Sequence, residues 1–458
     1  MKKKNAMTAK RVRIKSPLIV FLGFLAVMFV GAFFMALPIS NTDGKWMSFT
    51  HAVFWAMNGV CGTGLIVKPT ALELTGFGQA VLLILIQFGG LGFMTLATFV
   101  FILIRRRITF KDRVAIQEAL GENQTKGVVR LVRNIMIMTA VIEAAGTLML
   151  IPFFCVKNGA IGVWQALFNS ISAFCNAGFD VCGTSSNPYG SLSDYNGNAG
   201  VLLIISLLSI LGAFGFTVIN DILRNKFRFK RYRLHTKLVL LITPILMLSG
   251  TFFFLASEWN ADATAGMNGG QKLLNSLFQS VMASSTAGFS SLDQTKLSPA
   301  GVIYTCILMF IGSSPGGTGG GIKTTTFALL FWMAVSGLRG KEEIIMFKHS
   351  INIKTGLRAI AVAALALIVV FTGALIISAS DSYLLIKDVF FETLTAFTTT
   401  GLSMGSTTTL NPNISNTALY VLSVVMFIGR LGPLSVGMIF AKQDRSTLKY
   451  PASSLMIG

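Results

Sequence analysis

The chain has 458 residues, 53% of them hydrophobic and only 12% charged, about half the charged fraction of a soluble protein, which excludes that class. Lys and Arg number 38 against 18 Asp and Glu, a formal net charge of +20. That charge falls in alternate connections between apolar blocks, which excludes nucleic-acid binding as its purpose and reads as membrane orientation and contact with anionic lipid.

In chain order, Lys2, Lys3, Lys4, Lys10, Arg11, Arg13 and Lys15 precede an apolar block at 18–37. A basic start before an apolar run imitates a secretory signal, but this run is too long and reads as a retained first span. Further blocks lie at 80–104, 134–156, 199–223, 238–256, 300–311, 324–335, 359–379 and 418–441. Most reach the roughly 18–20 residues that cross hydrocarbon. Basic clusters recur at Arg105, Arg106, Arg107, Lys111 and Arg113, at 224–237, at Arg339, Lys341, Lys348, Lys354 and Arg358, and at Lys442, Arg445 and Lys449. The intervening connections hold single lysines beside acids. Both termini are therefore expected in the cytoplasm of a multi-pass cell-membrane protein. Cys61, Cys155, Cys175, Cys182 and Cys306 are odd in number and form no CxxC pair, so reduced thiols and no metal framework are expected.

Four stretches repeat: FWAMNGVCGTGLIV, FNSISAFCNAGFDV, FQSVMASSTAGFSS and FETLTAFTTTGLSM. Aligned on Gly64, Gly178, Gly288 and Gly401 they are spaced 114, 110 and 113 residues apart, with Phe54, Phe168, Phe278 and Phe391 ten positions earlier. A fixed period makes the chain four copies of one unit. Each unit comprises an apolar span, a shorter part-polar stretch, the glycine loop and a second span. Non-helical backbone at membrane depth must line water or lie within protein. The expected fold is an all-α polytopic membrane protein with four span–re-entrant loop–span repeats around a central pore. That gives eight transmembrane spans and four pore helices. The expected boundaries are a tail at 1–17, units at 18–104, 128–223, 238–338 and 355–441, connections at 105–127, 224–237 and 339–354, and a tail at 442–458.

The candidate selectivity filter is Val60, Cys61, Gly62, Thr63 and Gly64; Phe174, Cys175, Asn176, Ala177 and Gly178; Ser284, Ser285, Thr286, Ala287 and Gly288; and Phe397, Thr398, Thr399, Thr400 and Gly401. None of these is charged, and each set ends in the residue that most readily turns a carbonyl inward. Backbone carbonyls replace an ion's water without a trapping charge, so the pattern points to a monovalent cation. Asp180 and Asp293 follow two of the loops, either as cation attractors at the outer mouth or as solvated loop acids.

The four-unit plan, with ISAFCNAGF, STAGFSSLD, GTGGGIKTTTF and MFIGRLGPLSVG, resembles the Trk/Ktr/HKT superfamily of potassium transporters over nearly the whole chain, and most nearly its bacterial Ktr membrane subunits. The resemblance implies K+ uptake, a homodimer, a cytoplasmic ring of RCK-type nucleotide-binding subunits, no organic cofactor on this chain, and Na+ as an activator. It also implies K+ preference, because serine at a filter-glycine position accompanies sodium permeation in the superfamily. The Cys61–Gly62 pair departs from the usual hydroxyl-rich loop.

GGLGF, GAFGF and GRLGP recur in the second spans of units one, two and four, and the third has Gly312 followed by SSPGGTGGG. Pro315 and the glycines cannot sustain a straight helix, so the third unit's second span is expected to break. The resemblance makes Gly312, Ser313, Ser314, Pro315, Gly316, Gly317, Thr318, Gly319, Gly320 and Gly321 the intramembrane gating loop; the alternative is a plain kink. Arg430, alone among arginines deep in an apolar block, is expected at the gate's depth. It reads either as a barrier to cations or as a cap on broken-helix carbonyls. Lys323 ends the glycine run, and Glu143 is the odd acid in a span, tying helices or touching an ion path.

Rival readings are a Trk- or HKT-like transporter coupled to sodium or protons, an intramembrane enzyme and an inverted-repeat carrier. No H-E-x-x-H motif supports the enzyme, and repeats in one orientation disfavour the carrier.

Overall fold

The computed structural model describes residues 16–92, 95, 128–226, 228–340, 343–347, 349–405 and 414–440. Both basic tails and the cluster at 105–113 lie outside the described residues.

The main helices, in order, are α1 Ser16–Ala36, α2 Phe49–Cys61, α3 Gly76–Leu91, α4 Val128–Asn158, α5 Ile161–Phe174, α6 Ala199–Phe214, α7 Phe216–Asn225, α8 Leu234–Ser257, α9 Gly269–Ser285, α10 Pro299–Ile311, α11 Thr324–Leu338, α12 Ile353–Ser380, α13 Ile386–Thr398, α14 Asn416–Leu431 and α15 Pro433–Phe440. Among the described residues three are long and apolar enough to cross a membrane, and a fourth appears if α6 and α7, bent by 92°, count as one. Leu148, Phe252, Phe33 and Leu375 stand 59–71% exposed on the outside, an apolar exterior suited to lipid rather than water.

α2, α5, α9 and α13 each run into one of the glycine loops and pack on the helix before and the helix after. The following helix of each set also touches the next short helix: α3 meets α5, α6 meets α9, α10 meets α13, and α14 returns to α2. That order closes on itself. Phe54, Phe168, Phe278 and Phe391, with Leu65, Phe179, Phe289 and Leu402, are all at most 2% exposed and fill the space behind the loops.

Local sequence sets where the second helices start and stop. Thr75, Asn198, Ser298 and Ser415 each cap the backbone N–H three residues on, satisfying a donor the helix cannot. Glu258 strengthens one such start from a distance, accepting from Ser298 N at 3.0 Å and Ser298 Oγ at 2.5 Å while 1% exposed. Glu258→Ala is expected to cost about 2–3 kcal/mol, since buried donors lose a charged acceptor. The check is a fall in the thermal midpoint of the purified protein in detergent.

The helices stop at Gly92, Gly215 and Gly432, with φ/ψ of 79/138, 87/144 and 85/132. Lys323 takes the same conformation, 84/136. The sequence reading named a break in the third unit only; the described residues show second helices stopping at the corresponding glycine of the other three as well. The third unit differs by eight additional residues between its equivalent positions, Gly312 and Lys323, relative to Gly89 and Gly92.

A second correction concerns the all-α expectation. Ile344–Met346 pairs antiparallel with His349–Ile351, in register Ile344 to Ile351. Alternation places Ile344 and Met346 inward, against Leu238, Leu329 and Ala359, and Ile345 outward.

Candidate functional site

The four loops share one backbone pattern. The N–H of Thr63, Ala177, Ala287 and Thr400 bonds the carbonyl five residues back, at Asn58, Ser172, Met282 and Thr395, over 2.9–3.0 Å. This six-to-one bond terminates a helix through a left-handed residue. The left-handed residues are Gly62 (φ 60), Asn176 (φ 51), Thr286 (φ 56) and Thr399 (φ 50). Two residues later Gly64, Gly178, Gly288 and Gly401 turn positive again, at φ 85, 69, 76 and 89. Gly62, odd in sequence, thus supplies without a Cβ the conformation that costs its three counterparts about 1–2 kcal/mol each.

The loops meet in a ring. A Cβ placed on Gly64 would lie 2.4 Å from Ala177 O; on Gly178, 2.8 Å from Ala287 O; on Gly288, 1.9 Å from Thr400 O; on Gly401, 2.1 Å from Thr63 O. Each glycine is seated against the carbonyl of its neighbour, so only a hydrogen fits. Except for Gly401, which is partly accessible, all twenty loop residues are buried. The loop hydroxyls Thr63 Oγ1 and Thr399 Oγ1 have no hydrogen-bond partner among the described residues.

Immediately beneath lies the segment from Gly312 to Gly321. Its sequence suggests mobility, but in this conformation it is tied on several sides. Ser314 N and Thr318 N donate to Ala213 O and Gly212 O, both at 3.1 Å, and Phe216 N donates to Gly316 O at 3.0 Å, all at the α6–α7 break. Thr318 Oγ1 donates to Phe174 O at 2.9 Å, and Gly320 N to Thr286 Oγ1 at 2.8 Å, reaching two of the loops. Added Cβ atoms on Gly319 and Gly320 would lie 2.4 Å from Ser285 O and 2.1 Å from Thr398 O. Ser313, Ser314 and Thr318 are at most 2% exposed.

Arg430 bonds the carbonyls of Thr318 and Gly89, so it joins α14, α3 and the glycine-rich segment and caps broken-helix carbonyls. Lys323 Nζ donates to Gly319 O at 2.5 Å and to Ser313 Oγ at 3.4 Å, holding the segment's far end. Two basic side chains, Arg430 and Lys323, therefore lie under the ring. Glu143, 7% exposed, accepts from Gln87 Nε2 at 3.1 Å on both oxygens. Its Oε1 also receives Cys175 Sγ at 3.9 Å, so Glu143 ties α3 and α4 behind the second loop. Asp180 is buried and accepts from Cys182 N at 3.0 Å, whereas Asp293 is a surface acid 3.5 Å from Lys296.

Sequence reasoning missed Gly89, Gly212 and Gly429 as close-approach positions. Added Cβ atoms there would lie 1.8–2.0 Å from Val60 O, Phe174 O and Phe397 O. The recurrent Gly-x-x-Gly spacing at 89/92, 212/215 and 429/432 was the available signal. All five cysteines are free thiols.

A ring of backbone oxygens enclosed by apolar-faced helices is the architecture of a cation-translocating membrane protein. The chain belongs to the TrkH family of cation transport proteins, whose family model matches residues 24–449. It is 37% identical to the Ktr system potassium uptake protein B of Bacillus subtilis, over 98% of both chains. It is 33% identical to the potassium/sodium uptake protein NtpJ of Enterococcus hirae, over 98% of this chain and 99% of that one. The crystal structure of the potassium transporter TrkH from Vibrio parahaemolyticus shares the fold, with a TM-score of 0.74 and 19% identity over 94% of this chain and 86% of that one. The chain is accordingly a polytopic membrane protein of a transporter family and not an enzyme.

Proposed function

We propose that this chain is the ion-translocating subunit of a potassium uptake system and that K+ crosses through the ring at Gly64, Gly178, Gly288 and Gly401. The observation carrying the reading is the closed circuit in which each ring glycine abuts its neighbour's carbonyl. Alternating positive φ at 62 and 64, and at their counterparts, supports carbonyls turned toward one centre. The four units, with eight spans and both termini cytoplasmic, form one pore, and 312–321 is its gate, with Arg430 and Lys323 as a positive barrier. The partners are a second copy of this chain and a cytoplasmic nucleotide-binding ring, with Na+ as activator; several relatives are named as proteins of a Ktr system. No nucleotide site is assigned to this chain.

The test is rubidium uptake, with and without sodium, in cells lacking their own potassium uptake. Saturable rubidium uptake that excludes sodium supports the reading. Gly64→Ser would press a side chain on Ala177 O, so it is expected to lower the rubidium-to-sodium ratio by about tenfold, a loss of ~1.4 kcal/mol in discrimination. An unchanged ratio removes the first loop from the filter. A sodium-coupled transporter is the second reading, favoured by the relative named for potassium and sodium uptake. It requires rubidium uptake to follow the sodium gradient.

A further inference from the structure

A groove runs between α4 and α7 and is lined by none of the ring residues. Its volume is about 320 Å³, within the range of small-ligand sites. Leu131, Ile135, Met138 and Ile142 form one wall, at the spacing of a single helix face, and Phe216 and Leu223 stand on the other. The described lining is apolar except for Asn134 and Asn220. Its lips are open: Val141 and Leu223 are 62% and 66% exposed. From Leu131 to Ile142 the wall runs roughly 16 Å. That is about half the hydrocarbon core of a bilayer, the depth one acyl chain occupies.

The flanks of the groove are basic. Arg130 precedes Leu131 and Arg224 follows Leu223. Both are exposed, and neither side chain has a partner among the described residues. α4 carries no acid before Glu143. The acid of α7, Asp221, is engaged elsewhere: it accepts from Arg233 N at 3.1 Å and from Thr236 Oγ1 at 2.7 Å, at the start of α8. α7 thus gives its acid to α8 and its Asn220 and Leu223 to the groove.

We propose that this groove is a binding site for an anionic phospholipid. One acyl chain lies along the α4 wall, and the headgroup phosphate is held by Arg130 and Arg224, whose planar guanidinium groups suit phosphate oxygens. Basic groups at the end of an apolar cleft between membrane helices are the chemistry that selects anionic headgroups. A neutral lipid would fill the cleft and leave both arginines without an anion. A second copy of this chain would bring its own basic connections against them. The site does not depend on which ion the ring passes.

The experiment is photo-crosslinking of the full-length protein in phosphatidylcholine vesicles that carry a trace of phosphatidylglycerol with a diazirine on its acyl chain, followed by peptide mapping. Label is expected to concentrate in 131–142 and 216–223. Excess unlabelled phosphatidylglycerol should displace it, and excess phosphatidylcholine should not. Val141→Trp puts an indole into the cleft from an exposed lip and should remove most of that label. The double variant Arg130→Gln, Arg224→Gln should reduce the preference for phosphatidylglycerol about tenfold or more, on the scale of two basic groups at a membrane surface. Labelling of the α12 exterior around Phe371 and Leu375, both exposed, should stay at the parental level in all variants and reports that they are folded. Label spread evenly over α12 and the groove overturns the proposal, because the lipid is then only solvent. Equal displacement by phosphatidylcholine overturns it too, as does an undiminished preference in the double arginine variant. Absence of label in the groove assigns the cleft to residues 93–127 or to a second copy of the chain and equally overturns the proposal.

Discussion

Gly288→Ala is expected to abolish selective uptake, reducing rubidium transport at least about 100-fold. Two costs coincide at this position. The backbone sits at φ +76, a region an alanine occupies at about 1–2 kcal/mol. The new methyl would also lie 1.9 Å from Thr400 O, closer than van der Waals contact allows. Neither backbone can yield alone, because Thr400 N is itself bonded to Thr395 O at 2.9 Å and Gly401 is seated on Thr63 O. The strain therefore spreads around the ring, and on the proposed K+ path a positional error of about an ångström would remove coordination. Gly337→Ala is the control. No atom lies within 4 Å of the Cβ it would add, and alanine favours the helix. Parental uptake for Gly337→Ala with loss for Gly288→Ala is the expected pair. Parental uptake for Gly288→Ala would mean that the ring is not the conduction path.

Arg430→Ala is expected to raise basal rubidium flux by about tenfold to 100-fold. The guanidinium bonds Thr318 O and Gly89 O, and each hydrogen bond from a charged donor contributes about 1.5–3 kcal/mol. Losing even one of them favours displacement of the segment from Gly312 to Gly321 by a factor on that scale. Removing a positive charge below the ring acts in the same direction. Arg430→Lys separates the two causes, because lysine keeps the charge without the two-pronged geometry. A leak in Arg430→Lys close to that of Arg430→Ala assigns the effect to the carbonyl bonds; a tight Arg430→Lys assigns it to charge. Deleting Gly316 and Gly317 should leak as well, since the segment would no longer reach both Ala213 O and Gly320 O from Ser314 and Ser313. Unchanged basal flux in all three variants would demote the segment to a structural kink.

Much of this architecture was legible before any coordinates because it rests on local chemistry. The positive φ at four loop glycines is a backbone demand that only a few residue types meet, so it is written at a nearly fixed period. The recurring phenylalanines were equally readable, because one cavity shape behind each loop calls for one side chain. The left-handed Asn176, Thr286 and Thr399 were not readable. A non-glycine residue in that region announces nothing in sequence, and here the six-to-one bond holds it there.

By itself the sequence determined the membrane class, the fourfold period, the ring glycines and the presence of a break in the third unit. Each follows from the composition or spacing of neighbouring residues. Only the tertiary structure decided that second helices stop at Gly92, Gly215 and Gly432 too, that the glycine-rich segment is fastened to the α6–α7 break and to Arg430, and that Glu143 joins α3 to α4. It also decided that Glu392 braces the exit of the fourth loop. The partners in those tertiary contacts are carbonyls, hydroxyls or side chains from distant segments, and Glu392 closes onto Ser403 and Met404 only because the loop between them turns back. A carbonyl is present at every residue, so which one an arginine finds depends on how the helices cross, and that information is not local.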